Sequence, residues 1–224
     1  MRRFLKENGL SLVFLLFFLL ALAGQAFAGW HDFNDQASAH QEPAISLGRY
    51  LTSSAFGNAV LENWQSEYLQ FTLYILLTVW FLQKGSPESK ELDKAGQESD
   101  EDQLVGEHAR PDSPRWARAG GLRTALYSNS LVIAMTVIWL LSWLGQSVTG
   151  WSEFNADQVE HRESETSWIG YLGTPTFWES TLQNWQSEFL AVGSMAVLSI
   201  YLRQRGSPES KPVGAAHEAT GRQG

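Results

Sequence analysis

Two glutamates inside long apolar segments are the residues of this sequence with the clearest potential for chemistry. Glu67 closes the motif Asn-Trp-Gln-Ser-Glu at residues 63–67, and Glu188 closes the same motif 121 positions later. A carboxylate inside a membrane is costly and usually belongs to an ion, proton or substrate site. Near the water interface the cost is modest, and there a glutamate also serves to cap and clamp helices. Because both residues are shallow, the structural interpretation is slightly favoured over the functional one.

A glutamine from each preceding apolar segment completes the candidate polar cluster. Gln25 and Gln146 lie on faces with small residues, which let helices approach closely while polar side chains hydrogen-bond across the contact. At 1.5 Å per residue, Gln25 lies about 7 Å below Trp30 and Glu67 about 5 Å below its own tryptophan, which predicts a Gln–Glu contact. The cluster comprises Gln25, Asn63, Gln65, Ser66, Glu67, Gln146, Asn184, Gln186, Ser187 and Glu188.

Each glutamate also belongs to a stripe along one face of its helix. Helical spacing aligns side chains three and four positions apart. The first stripe is polar and consists of Asn63, Glu67, Gln70, Tyr74 and Thr78. The second is mostly small or apolar beyond its glutamate and consists of Asn184, Glu188, Ala191, Met195 and Ser199. The stripe therefore extends as a polar surface in one segment only.

The motifs are part of a longer repeat. Residues 1–90 align without a gap on residues 122–211, and both segments close on Gly-Ser-Pro-Glu-Ser-Lys, at residues 85–90 and 206–211. A long alignment at a fixed offset predicts an internal duplication. The predicted fold is an all-α integral membrane protein with four transmembrane helices, built as a parallel duplication of a two-helix hairpin.

The first helix of each predicted hairpin comes from an apolar segment of membrane-spanning length. Residues 9–30 are about as long as the 20 residues that cross a bilayer core of roughly 30 Å. Their basic start and Ala-Phe-Ala end are also typical of a secretory signal peptide. The gapless match to residues 129–151, which are internal, favours a helix that is retained. Polar loops are predicted to follow, at residues 31–53 and 152–174.

The second helices are predicted to begin near Ser54 and at Thr174-Pro175, with the threonine as N-cap and the proline at the first helical position. They are predicted to run to about Lys84 and Arg205, where the glycine that follows is suited to end a helix. A fresh helical start is predicted as an option at Ser86, because Ser-Pro-Glu resembles an N-cap.

Two segments contain too few apolar residues to bury a core, and they are predicted to be disordered. The predicted organisation is a first membrane repeat (1–90), a cytoplasmic linker (91–121), a second membrane repeat (122–211) and a tail (212–224).

The positive charges predict the orientation. All lysines and arginines except Arg49 and Arg162 fall on one side of the four-helix arrangement. The positive-inside rule then places both termini and the linker in the cytoplasm.

Composition disfavours several classes of activity. The net charge of −8 argues against a nucleic-acid partner, and the absence of cysteine excludes thiolate chemistry. The pairs His40 with Glu42 and His161 with Glu163 resemble metal ligands only weakly, because no third ligand follows at a recognisable spacing. No metal, cofactor or catalytic residue is predicted, and the protein is expected not to be an enzyme.

The sequence resembles a family of bacterial integral membrane proteins of unknown function. The resemblance is carried by the two repeated motifs, by Arg-Phe-Leu-Lys-Glu-Asn-Gly-Leu-Ser-Leu at residues 3–12 and by Gly-Gln-Ala-Phe-Ala-Gly at residues 24–29. The resemblance covers both repeats but not the linker or the tail. It implies a bacterial inner membrane and brings no catalytic residue with it.

Three functional hypotheses follow from the sequence. The first is a non-enzymatic membrane protein that acts through assembly, as a homo-oligomer or with a membrane partner protein, with the lipid bilayer as its surroundings. The second is a small proton- or cation-coupled permeation protein that uses Glu67 and Glu188. A membrane enzyme acting at the outer interface has the least support. A water-accessible cavity at the glutamates would favour permeation, whereas a dry contact would favour assembly.

Overall fold

Helices dominate the computed structural model, which describes residues 2–221 and contains no strand in that range. A single 3-10 turn covers Gly106–His108. The α-helices are α1 (Arg2–Glu7), α2 (Gly9–Ala39), α3 (Leu47–Tyr50), α4 (Ser54–Leu77), α5 (Gly121–Ser128), α6 (Ser130–Glu160), α7 (Trp168–Leu172) and α8 (Pro175–Tyr201).

Helices α2 and α6 are the two in the described part of the chain that are long and apolar enough to cross a membrane. Only 6% of the most apolar window of α2 and 17% of that of α6 are buried within the chain. An interior helix of a soluble protein would be mostly buried, so these two helices indicate membrane association. The polar residues of α4 and α8 make those helices less apolar.

Contacts divide the chain into two units. The first consists of Met1–Val60 with Gly145–Tyr171, and the second of Leu61–Leu144 with Leu172–Gly224. Each unit therefore takes residues from both halves of the sequence.

In the first unit, the end of α2 is tied to the loop that precedes α3. The Trp30 indole donates to the carbonyl oxygen of Ile45 at 2.7 Å, and the Asn34 amide exchanges two hydrogen bonds with the Ile45 backbone. The ring of Tyr50 packs on Phe33 and is buried. Because side-chain amides satisfy the loop backbone, this connection needs no regular structure.

The same arrangement occurs between α6 and α7. Trp151 donates to the carbonyl oxygen of Thr166 at 2.8 Å, and Asn155 exchanges two hydrogen bonds with the Thr166 backbone. Tyr171 packs on Phe154. Each of these residues lies 121 positions after its counterpart around α3.

The predicted polar loops at residues 31–53 and 152–174 are shorter than the sequence suggested. Helix α2 continues to Ala39 and α6 to Glu160, so the first nine residues of each predicted loop are helical. In α2 the cause is packing, because Phe33 contacts Tyr50 and Ala37, one turn later, is buried as well.

The predicted starts of α4 and α8 are confirmed. Helix α8 begins at Pro175, and the Thr174 hydroxyl accepts a hydrogen bond from the Phe177 amide. Helix α4 begins at Ser54, and the hydroxyl of the preceding serine accepts from the Phe56 amide. Both caps satisfy an amide that has no partner within its helix.

The predicted ends of these helices, near Lys84 and Arg205, are wrong. Helix α4 ends at Leu77, where the backbone tightens: the Val79 amide bonds the carbonyl oxygen three residues back instead of four. Helix α8 ends at Tyr201, and the Arg203 guanidinium donates to two carbonyl oxygens near that end, at 2.8 and 3.0 Å. The optional helical start at Ser86 is not adopted.

The segments predicted to be disordered carry little regular structure. Between α4 and α5 the 3-10 turn is the one helical piece in the described residues, and the described tail, 212–221, has no helix. Their disorder stays a prediction of the sequence.

Candidate functional site

Helices α4 and α8 meet along a polar seam in the second unit. The Glu62 carboxylate accepts hydrogen bonds from the Ser180 hydroxyl at 2.5 Å and from the Asn184 amide at 2.9 Å. The Trp185 indole donates to the Gln65 amide oxygen at 2.7 Å. These bonds join the two helices directly, and two of the predicted cluster residues, Gln65 and Asn184, take part in them. Glu62, which the sequence analysis left out, supplies the charged partner.

The serines of the two motifs bond within their own helices. Ser66 donates to the carbonyl oxygen of Asn63 at 2.9 Å, and Ser187 to that of Asn184 at 2.8 Å. Such bonds satisfy a hydroxyl locally, so neither serine is needed to join the helices. Gln186 is exposed.

The two glutamines predicted to contact the glutamates belong to the first unit. Gln146 on α6 is buried, with 1% of its surface exposed, and Gln25 on α2 is half-buried. The predicted contact of these residues with Glu67 and Glu188 stays a prediction.

Glu67 and Glu188 lie near each other across α4 and α8. Their carboxylates are close enough for their charges to interact, and Glu67 is exposed while Glu188 is half-buried. Two carboxylates side by side repel each other unless a proton or a cation lies between them. The role of the pair, as a clamp between helices or as an ion site, stays a prediction of the sequence.

One turn further along, the two stripes face a shared cavity of about 440 Å³. Gln70, Tyr74 and Thr78 line it from α4, and Ala191 and Met195 line it from α8. Residues from both stripes thus line this cavity. The α4 side is polar apart from Phe71, and the α8 side is small or apolar.

The far end of the cavity holds two carboxyl groups that the sequence analysis missed. Tyr74 donates a hydrogen bond to Glu88, and the carboxyl groups of Glu88 and Glu209 are hydrogen-bonded to each other. That bond and the nearby charge of Glu88 raise the pKa of Glu209 above the usual range of a carboxyl group. Glu209 thus holds its proton more firmly than a single exposed glutamate would.

These glutamates belong to the repeated Gly-Ser-Pro-Glu-Ser-Lys motifs, in which the sequence predicted only the ends of the preceding helices. The backbone N–H of Gln83 donates to the Ser89 hydroxyl at 2.9 Å, and the backbone N–H of Gln204 donates to the Ser210 hydroxyl at the same distance. Each of the two turns is thus closed by the same hydrogen bond within itself. Repetition of a glutamate in a turn was the signal that could have identified the pair.

The second turn is also fastened by a buried lysine. The Lys211 ammonium is 1% exposed and donates to four carbonyl oxygens, of which the nearest, at 2.6 and 2.7 Å, belong to Gly85 and His217. Gly85 has a positive φ of 87°, a backbone conformation that glycine adopts freely. Lys211 thereby connects both Gly-Ser-Pro-Glu-Ser-Lys motifs to the tail.

No group of three or more metal-ligating side chains occurs in residues 2–221. The histidines of the weak His-x-Glu pattern have other neighbours: His40 Nδ1 lies 2.7 Å from a Glu160 carboxylate oxygen, and His161 contacts Asp157.

Comparison with known families gives one match. A family described as a domain of unknown function, DUF6766, matches residues 1–222. The match includes the linker and almost all of the tail, which the resemblance based on motifs left out. No curated protein and no solved structure matches the chain.

Proposed function

Because the chain belongs to the DUF6766 family of unknown function, we propose a function for it from its own geometry: it is a multi-pass membrane protein that passes protons or small cations along the seam between α4 and α8. In this proposal α2, α4, α6 and α8 all cross a bacterial inner membrane, residues 1–28 are retained, and both termini are cytoplasmic. The proposal assigns no catalytic residue.

Matching element boundaries support duplication of a two-helix hairpin. Helices α2 and α6 each have 31 residues and start 121 positions apart. The starts of α4 and α8 are also 121 positions apart. The hydrogen bonds of Trp30 and Asn34 to Ile45 recur at the matching positions of the second segment. Independent origins would not produce the same bonds at one fixed offset.

The observation that carries the proposed function is the meeting of matching glutamates at two places along the seam between α4 and α8. Glu67 lies near Glu188 one turn before the cavity, and Glu88 meets Glu209 in the cavity lining. Like charges at close range favour uptake of a proton or a cation. Carboxylates within membrane helices are costly and are usually placed for such a role. Gln70 and Tyr74 line the polar wall between the two pairs.

A second candidate function is assembly without transport. It is favoured by the exposure of Glu67 on a single chain, because lipid cannot satisfy a carboxylate, so a second copy or a membrane partner protein would have to cover it. It is also favoured by Gln65, Asn184 and Trp185, which are used for helix–helix bonds.

Flux into liposomes tests the proposed function. Purified full-length protein is reconstituted with a trapped pH-sensitive dye, and a potassium diffusion potential drives protons inward. Wild type and the exposed-loop control Glu42→Gln should acidify the lumen faster than protein-free liposomes. The double variant Glu67→Gln/Glu188→Gln should fall to the protein-free rate. Parallel assays with sodium- and potassium-sensitive dyes identify the ion.

No flux of protons, sodium or potassium above the protein-free rate would overturn the permeation proposal. A homo-oligomer in lipid nanodiscs that Glu67→Arg dissociates would then support assembly. Topology is tested separately with reporter fusions near residues 41, 95 and 163. Cytoplasmic signals near 41 or 163 would overturn the four-span arrangement.

A further inference from the structure

The cavity between α4 and α8 combines two chemically different surfaces. At about 440 Å³ it falls within the 300–1,000 Å³ common for small-molecule sites. Phe71, Val192 and Met195 contribute apolar surface along its sides. Glu88 and Glu209 contribute carboxyl oxygens at one end, beside the Tyr74 hydroxyl.

The charge of the lining points to the sign of a ligand. None of the lining residues is a lysine, an arginine or a histidine, so no positive side chain balances the two glutamates there. With one shared proton the end carries about one negative charge, and with both groups ionised it carries about two. A cation is therefore the complementary ligand.

The apolar walls point to the rest of the ligand. Two carboxylates are too few to enclose a metal ion, which prefers several oxygen ligands. A small hydrated ion would also leave the Phe71 and Met195 surfaces unmatched. An apolar body next to a positive charge would cover these surfaces and place the charge at the carboxyl end, with the face of an aromatic ring as a further attraction.

We propose that this cavity binds an amphiphilic organic cation, with the positive group between Glu88 and Glu209 beside Tyr74 and the apolar body against Phe71, Val192 and Met195. This goes beyond the passage of protons or small cations, because it names an organic ligand and a site away from Glu67 and Glu188. Binding at this site does not depend on transport.

Ligand binding is coupled to a proton. The titratable groups that face the site are Tyr74 from α4, Glu88 from the turn after α4 and Glu209 from the turn after α8. A cation between the two carboxyl groups releases their shared proton to solvent. Because Glu88 holds the pKa of Glu209 above its usual range, affinity rises with pH through that raised value and then levels off.

Isothermal titration calorimetry on the full-length protein in nanodiscs tests the inference. The probe is benzyltrimethylammonium, whose charge is the same at every pH, and benzyl alcohol is the neutral comparison. Wild type should bind the cation at least about tenfold more tightly than the alcohol. Glu88→Gln and Glu209→Gln should each weaken cation binding about tenfold and flatten its pH dependence. The control Glu91→Gln, which removes a glutamate that pairs with Lys94 outside the cavity, should bind as wild type does.

A second variant keeps the test independent of the carboxyl groups. Met195→Trp fills the cavity without changing its charge and should weaken binding of the cation, while circular dichroism checks that the helices persist. Equal affinity for the cation and benzyl alcohol, or unchanged cation affinity in both glutamine variants, would overturn the inference. Glu67→Gln/Glu188→Gln should still bind the cation even where flux is lost, which separates this inference from the proposed function.

Discussion

The contacts around α3 and α7 differ in kind from the groove between α4 and α8. Around α3 and α7, the side chains that make the bonds are the same at matching positions, as with Asn34 and Asn155. In the groove the matching positions differ, because Tyr74 of α4 corresponds to Met195 of α8. A contact present in both segments is explained by the local folding of each segment. A polar wall present in one segment only is not explained in that way, so it is the better candidate for function.

The glutamate pairs combine both patterns. Glu67 with Glu188 and Glu88 with Glu209 occupy matching positions, yet each pair places like charges together. Like charges at short range oppose folding unless a proton or cation intervenes. Repetition alone therefore does not identify a structural role, and the sign of the interaction must be considered as well.

Replacing the buried lysine should have the largest effect and should break the equivalence of the two turns. Lys211→Met removes an ammonium that donates to four carbonyl oxygens, so the free energy of unfolding should fall by about 3 kcal/mol. The counterpart Lys90 keeps 26% of its side chain exposed and pairs with Glu98, so Lys90→Met should cost less than about 1 kcal/mol. Denaturant unfolding in detergent measures both, and equal losses would contradict the difference in burial.

The loop asparagines should show the opposite result, with equal losses in the two segments. Asn34→Ala and Asn155→Ala each remove two hydrogen bonds to one backbone residue, at an expected cost of about 2 kcal/mol each. Gln36→Ala removes one exposed bond to Asp32 and should cost less than about 0.5 kcal/mol. A loss at one asparagine alone would show that the two loops are not equivalent.

Substitution in the polar wall of the cavity should lower the free energy of unfolding more than substitution in the apolar wall. Tyr74→Phe removes the hydrogen bond to Glu88 and should lower the free energy of unfolding by about 1 kcal/mol. Met195→Leu should cost less, because the two side chains have similar volumes and no bond is lost. If Met195→Leu proves the more damaging change in the same unfolding assay, packing rather than hydrogen bonding dominates this groove.

The smallest effect concerns His161, directly after α6. The backbone carbonyl of Asp157, followed by its carboxylate, raises the pKa of His161 above 6.5. The protonated form is thus favoured in the folded chain, and its contribution to stability is present below pH 6.5 and disappears as the pH rises through the raised value. A nuclear magnetic resonance titration should give a midpoint above 6.5, and Asp157→Asn should lower the midpoint only in part because the backbone carbonyl remains. A wild-type midpoint at or below 6.5 would contradict the assignment.

Much of the helical architecture could be predicted because its signals are local. Thr174 and Pro175 mark the start of α8 by capping chemistry, which depends only on neighbouring residues. The ends of α4 and α8 could not be predicted in the same way. Near the end of α8, Arg203 also donates to the carbonyl oxygen of Ala215 in the tail, a contact that the residues around Arg203 do not reveal. Likewise, α2 extends beyond its apolar segment because Phe33 packs on a residue of a later helix.

The sequence by itself determined the recurrence of motifs 121 positions apart, the helical class and the two most apolar helices, because each depends on spacing along one chain. The tertiary structure decided which glutamates meet. Glu88 and Glu209 lie in turns of unremarkable composition, and only the packing of α4 against α8 brings their carboxyl groups together beside Tyr74. It also decided that Lys211 is buried while Lys90, at the matching position of the same motif, is partly exposed. The physical reason is that burial and charge pairing depend on residues distant in the sequence. Two identical motifs do not specify these distant residues.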